Sequence, residues 1–139
     1  MKIRPYTDTI EYNCFGYAFD KKEWLDFYCI DDSAYENHTV KDYYPYMVTE
    51  LRKRFHLMPV TERYVKARTN KNETIIAFRV SDDDFHFCVR KNGKWSMKKG
   101  CYCIYDMSQK EVLAKVWCPE RNYPYDSPIK FFIKIQKNT

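Results

Sequence analysis

The chain has 139 residues, of which 45% are hydrophobic and 18% aromatic, and it carries a formal net charge of +5. This length is typical of one domain with its own hydrophobic core, so we predict a single domain over residues 1–139. The charge is too small to indicate a nucleic-acid-binding protein. No run of apolar residues approaches the length of a membrane-spanning helix. We therefore expect neither nucleic acid nor a membrane among its partners.

The start of the chain, Met1 to Tyr6, lacks the apolar stretch of a secretory signal, which predicts a cytoplasmic protein. Its six cysteines are then expected to be reduced thiols. Cys101 and Cys103 alternate as in a strand, but no further ligand stands nearby at metal-ligand spacing. We therefore predict neither a metal nor any other cofactor.

The first element expected along the chain is a helix from Asn13 to about Tyr28. Asn13 is a good N-cap residue, and apolar side chains recur behind it at helical spacing. Cys14 then lies in the first turn, where the positive end of the helix dipole favours a thiolate over a thiol. Gly16 lowers helix propensity, and its presence indicates tight packing or a close approach of backbone.

Two more helices are predicted before the β-rich part of the chain begins. The longer one covers 41–55, with Pro45 in its first turn, where proline is tolerated. A short one begins near Thr61. His38, in a polar loop before these helices, and His56, at the end of the longer one, are interpreted as structural histidines.

After residue 73 the pattern changes to short β-rich runs. Asn92-Gly93 is among the strongest two-residue hairpin signals, so the runs on either side of it should pair antiparallel. Helices first and strands afterwards indicate an α+β fold, with N-terminal helices packed on a C-terminal antiparallel β-sheet. The predicted strands are Thr74 to Val80, Phe85 to Arg90, Lys94 to Lys98, Cys101 to Tyr105, Val112 to Trp117 and Ile129 to Ile135.

Cys14 and His86 together suggest a thiol–imidazole pair. His86 alternates with Phe85 and Phe87 in its predicted strand, so its imidazole leaves the sheet on the face opposite to theirs. An imidazole that projects toward the N-terminus of a packed helix can accept the thiol proton or hold it as an ion pair. The sequence therefore predicts a cysteine-nucleophile enzyme and leaves its substrate open.

Three motifs resemble small cysteine peptidase-like proteins of bacteria and their phages, which are similar to NlpC-type peptidases and amidases of papain-like fold. The motifs are Asn13-Cys14-x-x-Tyr17-Ala18, Asp84-Phe85-His86-Phe87 and Gly93-x-Trp95-Ser96-x-Lys98-x-Gly100. The resemblance implies a helix that bears the nucleophile, packed on an antiparallel sheet that bears the histidine. It makes Cys14 the nucleophile and His86 the base.

The resemblance also implies a third catalytic residue, often a histidine, that orients the imidazole from the neighbouring strand. Met97 stands at that position here, and a thioether cannot accept a proton or a strong hydrogen bond. Asp106, one strand later, is the candidate substitute. Loss of the third residue weakens the orientation of the base without removing the nucleophile.

Four residues in or beside these motifs are candidates for substrate binding. They are Tyr12, Asn13, Tyr17 and Trp95. Packing is an equally good interpretation of the two tyrosines.

The preferred function is a thiol hydrolase that acts on an amide or peptide bond. The alternative is a catalytically inert papain-like scaffold that binds and inhibits a host protein or an anionic ligand. Met97 and the basic residues of the central hairpin favour this alternative. If the gene is phage-borne, the place of action is the host cytoplasm. The sequence leaves the oligomeric state open.

Overall fold

The computed structural model describes residues 1–27, 39–67 and 72–134. Within these ranges the chain forms a seven-stranded antiparallel sheet with short helices, which confirms the α+β class. Several features named from the sequence lie outside the described residues. They are Cys29, His38, the end of the predicted first helix, the loop over 30–37 and nearly all of the loop over 69–72. None of the helices in the described ranges has the length and apolar character that a bilayer crossing needs.

Seven strands form the sheet. In chain order they are β1 Lys2–Arg4, β2 Leu57–Val60, β3 Ile75–Val80, β4 Phe85–Lys91, β5 Lys94–Lys98, β6 Ile104–Met107 and β7 Lys130–Lys134. The helices are α1 Cys14–Ala18, α2 Tyr44–Phe55, α3 Glu62–Ala67 and α4 Gln109–Val112, with a 3-10 helix, Val40–Tyr43, leading into α2. The strand order is β1-β6-β5-β4-β3-β7-β2, and neighbouring strands are antiparallel.

The sheet is not purely C-terminal, contrary to the expected order of helices before strands. β1 pairs with β6 at one edge, and β2 pairs with β7 at the other. These edge strands have only 3 and 4 residues. Runs of this length are too short to show a period-2 pattern, so the sequence does not predict either strand.

Two hydrophobic clusters lie on opposite faces of the sheet. On one face, Phe87 of β4 packs against Phe15 of α1, with ring centroids 4.7 Å apart, and α2 completes this first cluster. On the other face, Cys88 and Met97 pack with residues of α3, α4 and the segment from Trp117 onward in the second cluster. The alternation predicted for β4 is therefore confirmed.

Helix α1 ends far earlier than predicted, at Ala18. Asp20 has a left-handed φ of 56°, a conformation through which a right-handed helix cannot continue. The chain then turns back, and the Lys21 N–H donates to the Gly16 carbonyl at 2.9 Å. Phe27 still packs into the first cluster, but it does so from an irregular segment.

Gly16 lies against backbone, as its position in a helix predicts. A Cβ placed there would overlap the carbonyl oxygens of Glu23 and Lys21. Backbone atoms cannot move aside as the end of a flexible side chain can. The returning segment over 21–23 therefore requires glycine at this position.

We expect Gly16→Ala to lower the free energy of unfolding by about 2 to 4 kcal/mol, because the added methyl overpacks against backbone. Urea denaturation followed by circular dichroism measures the change. Gly100→Ala is the matched control, because its Cβ meets no atom within 4 Å and only its φ of 52° is unfavourable. That control should lose about 1 kcal/mol. Equal losses in the two variants would contradict the close approach at Gly16.

Several local predictions are confirmed. Asn92 and Gly93 have φ angles of 52° and 75°, as a tight hairpin requires, and join β4 to β5 with Lys91 opposite Lys94. Pro45 lies in the first turn of α2, and the short helix after Thr61 forms as α3. The helix α2 ends at His56 in a left-handed conformation.

The predicted strand Val112 to Trp117 is wrong, because its first residue ends helix α4. Ser108 starts that helix with a capping box, in which its side chain accepts from the Glu111 N–H and the Glu111 carboxylate accepts from the Ser108 N–H. Trp117 forms only an isolated bridge with Tyr125.

The predicted strand Cys101 to Tyr105 starts too early. Gly100 has a φ of 52°, and the Tyr102 N–H donates to the Lys99 carbonyl at 2.7 Å, which closes a turn. Strand β6 begins only at Ile104. The two sulfurs of Cys101 and Cys103 therefore do not share the face of a strand.

Candidate active site

A cavity of about 370 Å³ opens where strands β4 and β5 part. Their pairing runs from Lys91 opposite Lys94 to Val89 opposite Ser96, and beyond that point β5 stays paired with β6. Both Cys14 and His86 line this cavity. The structure therefore brings the two predicted catalytic residues to one site.

Cys14 is the first residue of helix α1 and is held there by Asn13. The Asn13 Oδ1 accepts from the Gly16 N–H at 3.0 Å and from the Leu25 N–H at 3.2 Å. Its Nδ2 donates to the Leu25 carbonyl at 2.7 Å. These bonds fix the N-terminus of the helix against the returning segment. The N-cap role predicted for Asn13 is confirmed.

The Cys14 thiol is protonated in the resting protein. The residue is 6% exposed, and burial, followed by the charge of Asp84, raises its pKa to about 12. Three weaker effects lower the pKa of Cys14. They are hydrogen bonds with the backbone of Phe87 and of Phe15 and the positive charge of Lys98. A helix of 5 residues has only a small dipole, so the thiolate expected from the sequence does not form.

The imidazole of His86 is buried and uncharged. Its Nε2 lies 2.8 Å from the Met97 sulfur. Because a thioether only accepts, Nε2 carries the proton in this contact, and this assignment leaves Nδ1 as the free base. Burial, and to a smaller extent the charges of Lys99 and Arg121, lowers the pKa of His86 to about 3.

Cys14 and His86 reach the cavity from opposite faces of the sheet. Helix α1 packs on the face that carries Phe87, whereas His86 shares its face with Cys88 and Met97. No hydrogen bond joins the thiol to the imidazole within the described part of the chain. The imidazole therefore does not project toward α1 across one face, as the sequence suggests, and what the two residues share is the wall of one cavity.

Met97 occupies the place that the resemblance assigns to the third catalytic residue. The contact between its sulfur and His86 Nε2 comes from the neighbouring strand, as expected for a residue that orients the imidazole. A thioether is a weak acceptor, so this contact holds the ring without raising its basicity.

Asp106 does not substitute for that residue. Its carboxylate accepts from Arg4 at 2.5 Å and 2.9 Å and is partly exposed. In the sheet Asp106 lies opposite Ser96, and Met97 lies opposite Tyr105. Because adjacent residues of a strand point to opposite faces, Asp106 lies on the face away from Met97 and His86.

The four candidate substrate-binding residues have structural contacts. Among the described residues, the cavity wall includes Asn13 but none of the other three. Tyr12 and Tyr17 stack with centroids 6.4 Å apart, and the Tyr17 hydroxyl lies 2.6 Å from Ser96 Oγ. Trp95 is buried in the second cluster, and its Nε1 donates to Gln109 at 3.2 Å.

The sequence does not predict the aromatic ring that packs on the His86 imidazole. Tyr125 stacks on His86 with ring centroids 5.0 Å apart, and its hydroxyl donates to Asp84 at 3.2 Å. The Arg121 guanidinium lies 4.5 Å from the Tyr125 ring centre on the cavity side. Asp84 belongs to the same motif as His86, but nothing in the sequence near Tyr125 indicates that it contacts β4.

The cavity has further lining residues that motifs did not indicate. Within the described ranges, no group of three or more His, Cys, Asp or Glu side chains is arranged to hold a metal ion. Trp24 is 46% exposed and Tyr102 is 69% exposed, and both present aromatic surface at the cavity. A ligand in the cavity would therefore meet exposed rings as well as the thiol and the imidazole.

We expect the partly exposed Cys101 and Cys103 to react with iodoacetamide before Cys14 at pH 7.5. Cys14 should be slower by at least about tenfold, because a buried thiol with a raised pKa is rarely ionised. Peptide mapping by mass spectrometry after brief labelling measures each rate. Labelling in denaturant, where all thiols should react alike, is the control. Preferential labelling of Cys14 in the folded protein would show that the thiol is ionised.

Comparison with known protein families matches residues 5–134 with a family described as a domain of unknown function, DUF7689. The match includes Cys14, His86 and Met97. Searches of curated proteins and of solved structures return no match. Because the matched range takes in most of its length, the chain belongs to the DUF7689 family.

Proposed function

We propose that the protein is a thiol hydrolase with a papain-like, NlpC-like arrangement, acting on an amide or peptide bond. The observation that carries this proposal is the shared cavity, which Cys14 and His86 enter from two sides of a parted strand pair. The Met97 contact at His86 Nε2 adds support, because a residue of the neighbouring strand normally orients the base there.

The resting pair is a neutral thiol and a neutral imidazole, so general-base catalysis replaces a preformed ion pair. The Cys14 sulfur attacks the carbonyl carbon while its proton passes to Nδ1 of His86. The imidazolium then gives that proton to the leaving amine, and a thioester remains on Cys14. Water, deprotonated by the same imidazole, hydrolyses the thioester and restores the thiol.

The oxyanion of the tetrahedral intermediate needs hydrogen-bond donors. The backbone N–H of Cys14, at the first position of α1, is the proposed donor, because early helical N–H groups have no intrahelical partner. A reducing compartment keeps cysteines as free thiols. The described cysteines are free, and we place the protein in the cytoplasm.

The alternative function is a catalytically inert scaffold of the same type that binds a host protein, in the host cytoplasm if the gene is phage-borne. The thioether at Met97 favours it, since this side chain cannot assist the base. An anionic ligand fits the cavity less well than a protein does. Lys99 pairs with Glu120 at 3.0 Å and Arg121 with Asp83 at 2.8 Å, so an anion would have to displace a carboxylate.

The test is hydrolysis of a panel of p-nitrophenyl esters and aminocoumarin peptide amides by the full chain. If the protein is a hydrolase, we expect slow turnover in wild type and none in Cys14→Ala or His86→Ala. Cys118→Ala is the matched control, because Cys118 is another buried thiol that lines the cavity. Turnover that persists in Cys14→Ala, or no turnover in any variant, favours the scaffold.

A further inference from the structure

Lys98 is a buried lysine at the end of β5, beside the candidate site. Its side chain has no solvent exposure. A buried ammonium is normally paired with a carboxylate, because removing it from water is costly. Lys98 instead donates to the Thr9 carbonyl at 2.9 Å and to the Gly100 carbonyl. Within the described residues it forms no ion pair.

Two N–H donors of Lys98 bond to the carbonyls, and Nζ lies 5.1 Å from the centre of the Tyr12 ring. These contacts join the segment that precedes Cys14 to the turn between β5 and β6. Lys98 is buried and, among the described residues, is not part of the cavity wall, so it acts through its charge rather than by a hydrogen bond to a substrate.

Lys98 lies on the side of the sheet that carries α1, because it is two residues from Ser96, whose Oγ lies 2.6 Å from the Tyr17 hydroxyl of α1. From this side the charge of Lys98 lowers the pKa of Cys14, against burial and Asp84, which raise it. Burial lowers the pKa of Lys98 itself, and the charge of Cys14 acts in the opposite direction. The other titratable groups that act on Lys98 are Asp8, Cys101 and Cys103, and Asp84 acts on Cys14 with the opposite sign. Since helix α1 is too short for a strong dipole, Lys98 supplies the positive field that the sequence attributes to the helix.

We propose that Lys98 is a positioning residue whose buried ammonium, unpaired with any carboxylate of the described residues, stabilises the negative charge that develops on the Cys14 sulfur. The inference rests on the proposed role of Cys14 as nucleophile. It goes beyond that role by assigning the source of its electrostatic support. The proton leaves the sulfur for the base or for solvent, and Lys98 takes no part in its transfer.

Alkylation of Cys14 by iodoacetamide tests this inference without a substrate. Iodoacetamide is neutral, so its approach does not depend on the charge of Lys98. The variants are Lys98→Met, which removes the charge, Lys98→Gln, which keeps donors for the two carbonyls, and Lys98→Arg, which keeps the charge. Lys94→Met is the matched control, because Lys94 belongs to the same strand but is exposed and, among the described residues, is not part of the cavity wall.

We expect Lys98→Met and Lys98→Gln to slow alkylation of Cys14 by about threefold to tenfold between pH 7.5 and 9.5. Lys98→Arg and Lys94→Met should alkylate at rates close to that of wild type. Peptide mapping gives the Cys14 rate, and circular dichroism confirms that each variant is folded. The direction of the change in alkylation rate separates an electrostatic role of Lys98 from a purely structural one. Loss of a structural contact would open the site and speed alkylation, whereas loss of the positive charge should slow it.

Unchanged or faster alkylation in the folded neutral variants would overturn the proposal. Failure of both neutral variants to fold, beside a folded Lys98→Arg, would overturn it too, since the charge would then serve stability alone. Ester turnover is measured separately. A wild type without turnover whose alkylation still slows in Lys98→Gln refutes the hydrolase and leaves the electrostatic role of Lys98 intact.

Discussion

Replacing Met97 with histidine should raise the rate of Cys14 acylation by an activated ester by about tenfold to a thousandfold. Met97 contacts His86 Nε2 at 2.8 Å, so a histidine there places an imidazole against the base. A ring nitrogen accepts the Nε2 proton far better than a thioether does. The stronger acceptor holds the ring and stabilises the imidazolium that forms as the thiol is deprotonated.

Stopped-flow release of p-nitrophenol in the first turnover measures this rate. Met97→Leu is the control, because it keeps an apolar side chain of similar volume and removes the sulfur. It should react no faster than wild type. If Met97→His and Met97→Leu acylate equally slowly while both are folded, orientation of His86 does not limit the reaction, and the inert scaffold is favoured.

Acidification from pH 6.5 to about 5 should lower the free energy of unfolding by about 2 kcal/mol through the titration of His86 alone. The pKa of His86 is lowered to about 3 in the folded protein, whereas an unfolded histidine titrates near its ordinary value. The unfolded chain therefore binds more protons in this range, and stability falls as the pH falls. Most carboxylates titrate below the range, so the histidine contribution can be separated.

Urea denaturation at several pH values measures this slope. His86→Gln should flatten it. An equal slope in wild type and His86→Gln would mean that the imidazole binds protons alike in the folded and the unfolded protein. The lowered pKa of His86 would then be wrong.

Much of the central sheet can be predicted from local pattern. Asn92-Gly93 has one favoured geometry between two β-rich runs, and β4 alternates apolar side chains over its whole length. Cys14 and His86 can be paired from the sequence because their residue types and order match a known chemistry. Both line one cavity because α1 packs on the face of β4 that carries Phe87, a tertiary contact that the hairpin signal does not specify.

The errors arise where tertiary contacts outweigh local pattern. Apolar spacing continues past Ala18, but the backbone turns back over Gly16 and stops the helix. Asp106 lies two strands from His86, and the register places it on the opposite face of the sheet. Its carboxylate accepts instead from Arg4, which belongs to an edge strand that the sequence does not predict. The predicted thiolate is wrong as well, because burial of Cys14 depends on packing that no motif records.

The most direct test of a nucleophilic Cys14 is to trap the acyl-enzyme. The full chain is incubated with p-nitrophenyl acetate, quenched in acid and analysed by intact mass and peptide mapping. The thioester account predicts one acetyl group on Cys14, removed by neutral hydroxylamine, absent from His86→Ala and more abundant in Met97→His. Acetylation confined to lysines or to Cys101 and Cys103, with Cys14 unmodified in every variant, would contradict it.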